Sequence, residues 1–279
     1  MPSFATPEPI TLDVDVVAGS VLITATDRDD TEVELHPADP DNGKDRAAVD
    51  GTSVDFAAGR LTVRTPRSRG IFGKTGTVDV VVRLPAGSQV VAQGSLTEFR
   101  AEGALGECRF KTSAGHIRLQ DTAALKASTS HGDVAVERVT GRAELSTGSG
   151  ELRVDRLDGS GAVKNSNGAT RVGEVTGELR AGAANGDIFV GHAAGDVHAK
   201  TANGRIRVDE VVRGSVVVET SAGEVEVGIR EGTAAWLDVR SVAGRVRNEL
   251  SNADAPGDGE ERVEVHARTS LGDIVIRRA

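Results

Sequence analysis

The chain has 279 residues, a formal net charge of −9, 3% aromatic residues and no tyrosine. That charge argues against nucleic acid as the main ligand, and the single cysteine, Cys108, excludes an internal disulfide and a cysteine-based metal site. No run of eighteen apolar residues occurs, so no transmembrane segment is expected.

The first ten residues, MPSFATPEPI, lack the basic and apolar regions of a secretory signal. Cytoplasmic residence is the expectation on that ground, with surface export left open. With Pro2, Pro7 and Pro9, residues 1–9 read as a disordered lead-in. Strand alternation comes next at Leu12, Val14 and Val16, at Val21 and Ile23 after Gly19, and at Val33 and Leu35. The polar segment 36–52 reads as a loop by composition. Strands resume at Val54 and Phe56 and at Leu61 and Val63, followed by a basic, glycine-rich loop over 65–77. The stretch 77–93 predicts a strand, a Pro85–Gly87 turn and a second strand. Spacing through this first third is irregular. Residues 1–100 are therefore expected to form a less regular N-terminal capping region, which hides the first edge of the regular strands after it.

Regularity sets in with Gly132. Glycine then stands at 141, 150, 159, 168, 177, 186, 195 and 204, nine residues apart each time. The second and fourth positions after most of these glycines are apolar: Leu152 and Val154, Leu179 and Ala181, Ile188 and Val190, Val197 and Ala199, Ile206 and Val208. Alternation of this kind buries one face of a strand, and a short fixed period means stacked repeats. The corners differ in turn. Before every second glycine stand His131, Ser149, Asn167, Asn185 and Asn203, and two residues further back Thr129, Thr147, Asn165, Ala183 and Thr201. The unit is thus eighteen residues built as two nine-residue halves. Glycine at the corner supplies the positive φ a tight turn needs.

The predicted fold is all-β, a single elongated parallel β-solenoid occupying 101–279 as one continuous domain. Its sheets would lie about 10 Å apart with coils stacked about 4.8 Å apart, a core too thin for many rings. A three-sided β-helix also accommodates eighteen residues, but the nine-residue half-period favours two faces. Beyond Gly204 the corner glycines fall at 223, 244 and 272. Trp236 is expected to cover the core near these last coils, and residues 251–261 to form an acidic loop. Arg277 and Arg278 are expected beside the final edge, discouraging end-to-end stacking.

The segments TSAGHIRL, TSHGDVAV, NSNGATRV, ANGDIFV, TANGRIRV and TSLGDIVI, with VDVVVRLPAGS before them and GIREGTAAWLDV after, carry a family likeness. From about residue 10 to 279 the chain resembles the bacterial β-strand-repeat family of candidate adhesins, DUF4097-like and of actinobacterial type. The resemblance implies a β-solenoid and an adhesion-like role.

Few residues point to chemistry. The Asn167–Asn185–Asn203 column reads as a corner ladder of mutually bonded amides. Asp133, Asp187, Asp196 and Asp273 come directly after corner glycines, as in calcium-binding nonapeptides, but the double glycine of those repeats is missing. The six histidines show no metal-ligand spacing, Cys108 reads as core, and no nucleophile elbow, phosphate loop or dinucleotide fingerprint is present. No catalytic residue, metal or cofactor is expected. One outward column stands out: Arg153, Arg171, Phe189 and Arg207 at equivalent positions of successive coils. Glu151, Asp187 and Arg205 beside it pair much of its charge, so it reads as a solvated, salt-laced face, or alternatively as a surface patch for an anionic or sugar ligand with Phe189 as an exposed stacking platform. The function expected is a non-enzymatic binding or adhesin-like scaffold with an unknown protein or carbohydrate partner. The alternatives are a polysaccharide-active β-helix enzyme and an intracellular assembly or regulatory module. Oligomeric state is not legible.

Overall fold

The computed structural model describes residues 2–66, 76–250 and 261–279. The loop expected over 65–77 and the acidic loop expected over 251–261 fall largely outside these residues. The chain divides into two compact units, residues 1–137 and 138–279.

In the first unit β1 (Ser3–Ala5), β2 (Thr11–Thr26) and β3 (Asp30–Pro37) precede helix α1 (Gly43–Asp50). Then come β4 (Ser53–Ala57), β5 (Arg60–Arg64), β6 (Val78–Pro85), β7 (Gln89–Ala114) and β8 (Ile117–His131). β2 is the centre. Its first half runs parallel to β5 and its second half parallel to β6, while β7 runs parallel along its other edge from Thr11↔Gln89 to Thr24↔Glu102. β8 continues the parallel ladder beside β7. Antiparallel pairs occur where β3 meets β6, β4 meets β5 and β1 meets β3. Alternate residues turn inward, among them Leu12, Val14, Val21, Ile23, Val80 and Val82, each at most 1% exposed. Phe99 and Phe110 pack with ring centroids 5.5 Å apart. Cys108 lies buried among these apolar neighbours, and burial pushes its thiol up to about 12.

Two expectations for this region are corrected. Residues 1–9 are not a disordered lead-in: β1 pairs with β3, the Phe4 and Phe56 rings lie 5.2 Å apart, and the Thr6 and Thr31 hydroxyls meet at 2.8 Å. Burial of Thr6 and the partial burial of Phe4 against Phe56 outweigh the local cost of the prolines. The segment 36–52 is not all loop but contains α1. The Asn42 side chain caps its start by accepting from the Lys44 amide at 3.0 Å, and buried Asp45 accepts from the Thr77 amide at 2.9 Å. An Asn followed three residues on by an acid is a helix-start signal that overall polarity hides.

β9 (Val134–Val139) carries the chain into the second unit. There the strands alternate between two ladders, so the coil has two faces. One ladder holds β10 (Ala143–Ser149), β12 (Gly161–Asn167), β14 (Leu179–Asn185), β16 (Val197–Asn203) and β18 (Gly214–Ala222). The other holds β11 (Leu152–Leu157), β13 (Thr170–Val175), β15 (Ile188–Ala193), β17 (Ile206–Val211) and β19 (Val225–Ile229). All pairings are parallel. Through β17 each residue faces its equivalent eighteen positions on, as in Val154↔Val172↔Val190↔Val208, and the step to β18 and β19 is nineteen, as in Val197↔Val216 and Ile206↔Val225. The unit is a parallel β-solenoid of eighteen-residue coils. Gly168, Gly186 and Gly204 hold φ of +132, +153 and +149, and a Cβ at Gly204 would lie 2.2 Å from the Gly186 carbonyl oxygen. No other residue fits that corner.

Three places before the corner glycines, except at Ala183, stands a polar residue that fastens coil to coil. Thr201 Oγ1 donates to the Gly186 carbonyl at 3.1 Å, Thr220 to Gly204 at 3.0 Å, and the Asn165 amide to Gly150 at 3.0 Å.

The chain does not end at the end of its stack. β20 (Ala234–Ala243), β21 (Val246–Asn248), β22 (Arg262–Leu271) and β23 (Ile274–Arg278) complete the chain. β22 and β23 pair with β18 and β19 on one side and with β20 and β21 on the other. The last strands therefore insert between two earlier coils. The fastening hydroxyls keep the same order: Thr269 donates to Gly223 and Ser241 to Gly272. Arg277 and Arg278 consequently do not flank the final edge, as expected from sequence. Arg277 is held by Glu226 at 2.7 Å, and Arg278 donates to the Arg230 and Thr233 carbonyls. The physical reason lies in the inward residues. β23 offers Ile274 and Ile276, fully buried, whereas Asn248 of β21 stands in the Ile276 register. A polar inward side chain is cheap only where water reaches it.

Candidate functional site

The patch foreseen on the outer face of β11, β13, β15 and β17 is assembled as a column. Arg153, Arg171, Phe189 and Arg207 are direct register partners, followed by Glu226 of β19. Alternation places them outward, because Leu152, Thr170, Ile188 and Ile206 before them and Val154, Val172, Val190 and Val208 after them are buried.

The charges in this column are paired. Arg153 holds Asp155 at 2.6 Å, Arg171 binds Glu151, and Arg207 holds Asp209 at 2.6 Å and Glu226 at 3.5 Å. The bonds to Asp155 and Asp209 raise the pKa of Arg153 and Arg207 further above the guanidinium value. Phe189 is half-buried, not the exposed platform expected. A strand spacing of about 4.8 Å sets it between Arg171 and Arg207 on the neighbouring coils.

Beside the column lies a shallow depression of about 510 Å³ that is not foreseen from the sequence. Asp155, Arg156, Gly173, Glu174, Gly191 and His192 line it. Its floor is two glycines in adjacent coils, and the bend of the strand imposes them: a Cβ at Gly173 would lie 2.3 Å from the Asp155 carbonyl oxygen, and one at Gly191 2.6 Å from that of Gly173. The signal available in sequence was glycine at 173 and 191, eighteen apart and outside the corner series. Its far wall is another row of paired side chains, Arg156 with Glu174 at 3.0 Å and His192 hydrogen-bonded with Glu210 at 2.9 Å. Arg156 and Arg138 together hold the Asp158 carboxyl below the usual carboxylate range.

The other residues singled out from sequence have structural partners. Asn203 donates to Asn185 at 2.9 Å and Asn185 to Asn167 at 3.0 Å, a continuous amide ladder. Asp187, Asp196 and Asp273 each accept a backbone amide of the neighbouring coil at 2.8 Å, from Arg205, Ser215 and Arg245. Trp236, expected over the core, is 57% exposed on β20 and meets His266 edge-on at 5.4 Å between ring centroids. It occupies an outward position of the strand, and its inward neighbours are Ala235 and Leu237.

Among the described residues no helix is long and apolar enough to cross a membrane. The repeat geometry defines the class, a β-solenoid whose coils close on glycine corners. The family model Toastrack DUF4097 matches residues 10–277, and the chain belongs to that family. No curated protein matches the chain. Among solved structures it is similar to a candidate adhesin from Bacteroides fragilis, at 13% identity and TM-score 0.42, covering 99% of this chain and 95% of that one. A candidate adhesin from Parabacteroides merdae is similar at 10% identity and TM-score 0.36, over 100% and 95% of the two chains. A candidate lipid-binding protein from Parabacteroides distasonis is similar at 9% identity and TM-score 0.30, again over 100% and 95%.

Proposed function

We propose that this chain is a non-enzymatic binding scaffold that takes a carbohydrate on the outer face of β11, β13, β15 and β17. The observation that carries the reading is Phe189, the one aromatic residue in the regular coils from 132 to 229, half-exposed beside a shallow glycine-floored depression. A sugar ring laid on Phe189 would bury its apolar face, as aromatic platforms do. Its hydroxyls would meet a surface already rich in donors and acceptors, since each arginine of the column carries its own carboxylate. That pairing disfavours the anionic ligand, which would find little uncompensated positive charge. It also disfavours glycoside hydrolysis, which needs a carboxyl raised toward neutrality to act as the acid. An arginine partner favours the ionised carboxylate instead.

The test is a glycan array with the full chain, followed by calorimetry on the retained neutral and uronate-containing oligosaccharides. Phe189→Ala should weaken binding by at least about tenfold, a modest share of what aromatic–sugar burial provides. Retention of no glycan, or binding indifferent to Phe189→Ala, contradicts the proposal.

A further inference from the structure

The free end of the C-terminal unit is the coil formed by β20 and β21. One edge of β20 pairs with β22, and among the described residues no strand pairs with its other edge. The ten residues of β20, AAWLDVRSVA, contain no proline, and their inward side chains are the apolar Ala235, Leu237 and Val239 followed by Ser241. Natural sheets blunt such edges with proline, bulges, inward charges or charged side chains on the edge. Of these β20 has only the outward pair Asp238 and Arg240, one of each sign.

We propose that this edge is an interface for a second copy of the chain, β20 pairing antiparallel with β20 of its partner about a two-fold axis at Val239. The sequence of the strand is self-complementary in that register. Asp238 falls opposite Arg240, Trp236 opposite Val242, and Leu237 opposite Ser241, each pair occurring twice. Trp236 and Val242 are the large apolar side chains exposed on the outward face of this strand, at 57% and 75%. The pairing buries each against the other and extends the inward apolar row through Val239 to the partner.

The charges point the same way. Along the outward column of this sheet, Lys200, Glu219 and Arg268 alternate in sign, with Lys200 and Glu219 3.1 Å apart. The next position is Arg240, directly beside Arg268. Like charges on neighbouring strands are unfavourable, and among the described residues no carboxylate lies within ion-pair distance of Arg240. Asp238 is engaged on its stack side by Arg268 at 3.3 Å and His266 at 3.4 Å. On its open side it would receive the partner's arginine. Two-fold pairing is the commonest form of self-association, and strand addition at an open edge supplies its main-chain bonds. This interface lies on a different surface from the Phe189 face, and neither reading depends on the other.

Sedimentation equilibrium of the full chain over a range of concentrations tests it, read together with the emission of Trp236, the only tryptophan. The expected result is a dimer of the 28.9 kDa chain whose tryptophan emission shifts to the blue as it forms. Arg240→Glu sets Asp238 against Glu and should weaken dimerisation by at least about tenfold. It leaves the fold intact, because it removes the Arg240–Arg268 neighbours. Asp238→Arg should also dissociate the dimer. Mixing the two single variants should restore association as a heterodimer, since each then meets its opposite charge, a result that no general loss of stability reproduces. A wild-type chain that stays monomeric with concentration-independent emission overturns the proposal. So does a dimer that ignores both charge reversals, or variants that fail to associate on mixing.

Discussion

Ala183 is the one break in the row of polar residues that fasten coil to coil. At Thr201 the hydroxyl reaches the Gly186 carbonyl at 3.1 Å from a side chain only 2% exposed. At Ala183, one coil earlier, a methyl group stands in that place, and the Gly168 carbonyl has no such hydroxyl donor. Thr201→Ala removes a neutral hydrogen bond, about 0.5–1.5 kcal/mol, rising toward about 1–3 kcal/mol if the carbonyl is left dry. It also removes a buried methyl group, about 0.8 kcal/mol. The expected total is a loss of about 1.3–2.3 kcal/mol, rising toward about 4 kcal/mol if the carbonyl is left dry. Ala183→Thr should do the reverse, gaining about 1 kcal/mol after the hydroxyl's rotamer freedom is lost. Urea unfolding followed by circular dichroism measures both, provided the slope is unchanged between variants. Thr201→Ser separates the contributions, because it keeps the hydroxyl and loses the methyl group. If Thr201→Ser costs as much as Thr201→Ala, or if Ala183→Thr destabilises the protein, the fastening role assigned to this column is wrong.

Gly204→Ala should be among the most damaging small substitutions. It places a Cβ 2.2 Å from a carbonyl oxygen at φ +149, and at least about 2–3 kcal/mol of stability should be lost in the same urea assay. Cys108, buried and with its thiol raised to about 12, should resist an aromatic disulfide reagent at pH 8 in the native state and react on unfolding; rapid native labelling would contradict its placement in the core. Asp158 is held below its usual range by Arg156 and then Arg138, so its contribution is present above the unfolded carboxyl value near 4 and fades as pH falls through the lower folded value. Asp158→Asn should therefore flatten the acid limb of the stability–pH curve and leave the alkaline limb unchanged.

How much of this chain is legible in its sequence depends on how locally each feature is determined. The glycine period and the apolar alternation are imposed residue by residue, since a corner such as Gly186 admits no Cβ and an inward site such as Val190 admits no charge. The parallel two-faced coil can accordingly be read from residues 132–208 alone. Features that depend on competition between distant segments are less visible. That β22 and β23 displace β20 and β21 from the stack emerges from comparing Ile274 and Ile276 with Val246 and Asn248, and neither pair announces its place by itself. Trp236 misleads for the same reason: composition marks it as core, but the parity of its strand turns it outward. The arginine column is visible in the repeat. Part of its pairing is visible too, since Asp155 and Asp209 stand two residues after Arg153 and Arg207, whereas the bond of Arg207 to Glu226 on the neighbouring coil follows from the register.

The central claim is the register itself, each coil lying parallel on the next with equivalent residues aligned, eighteen apart through the regular coils. Backbone nuclear Overhauser effects in a deuterated sample measure it directly. The account predicts interstrand contacts from Val172 to both Val154 and Val190, and from Val265 to both Val216 and Leu237. Antiparallel contacts between sequence-adjacent strands, such as β12 with β13, or a Val265 without contact to Leu237, would contradict it.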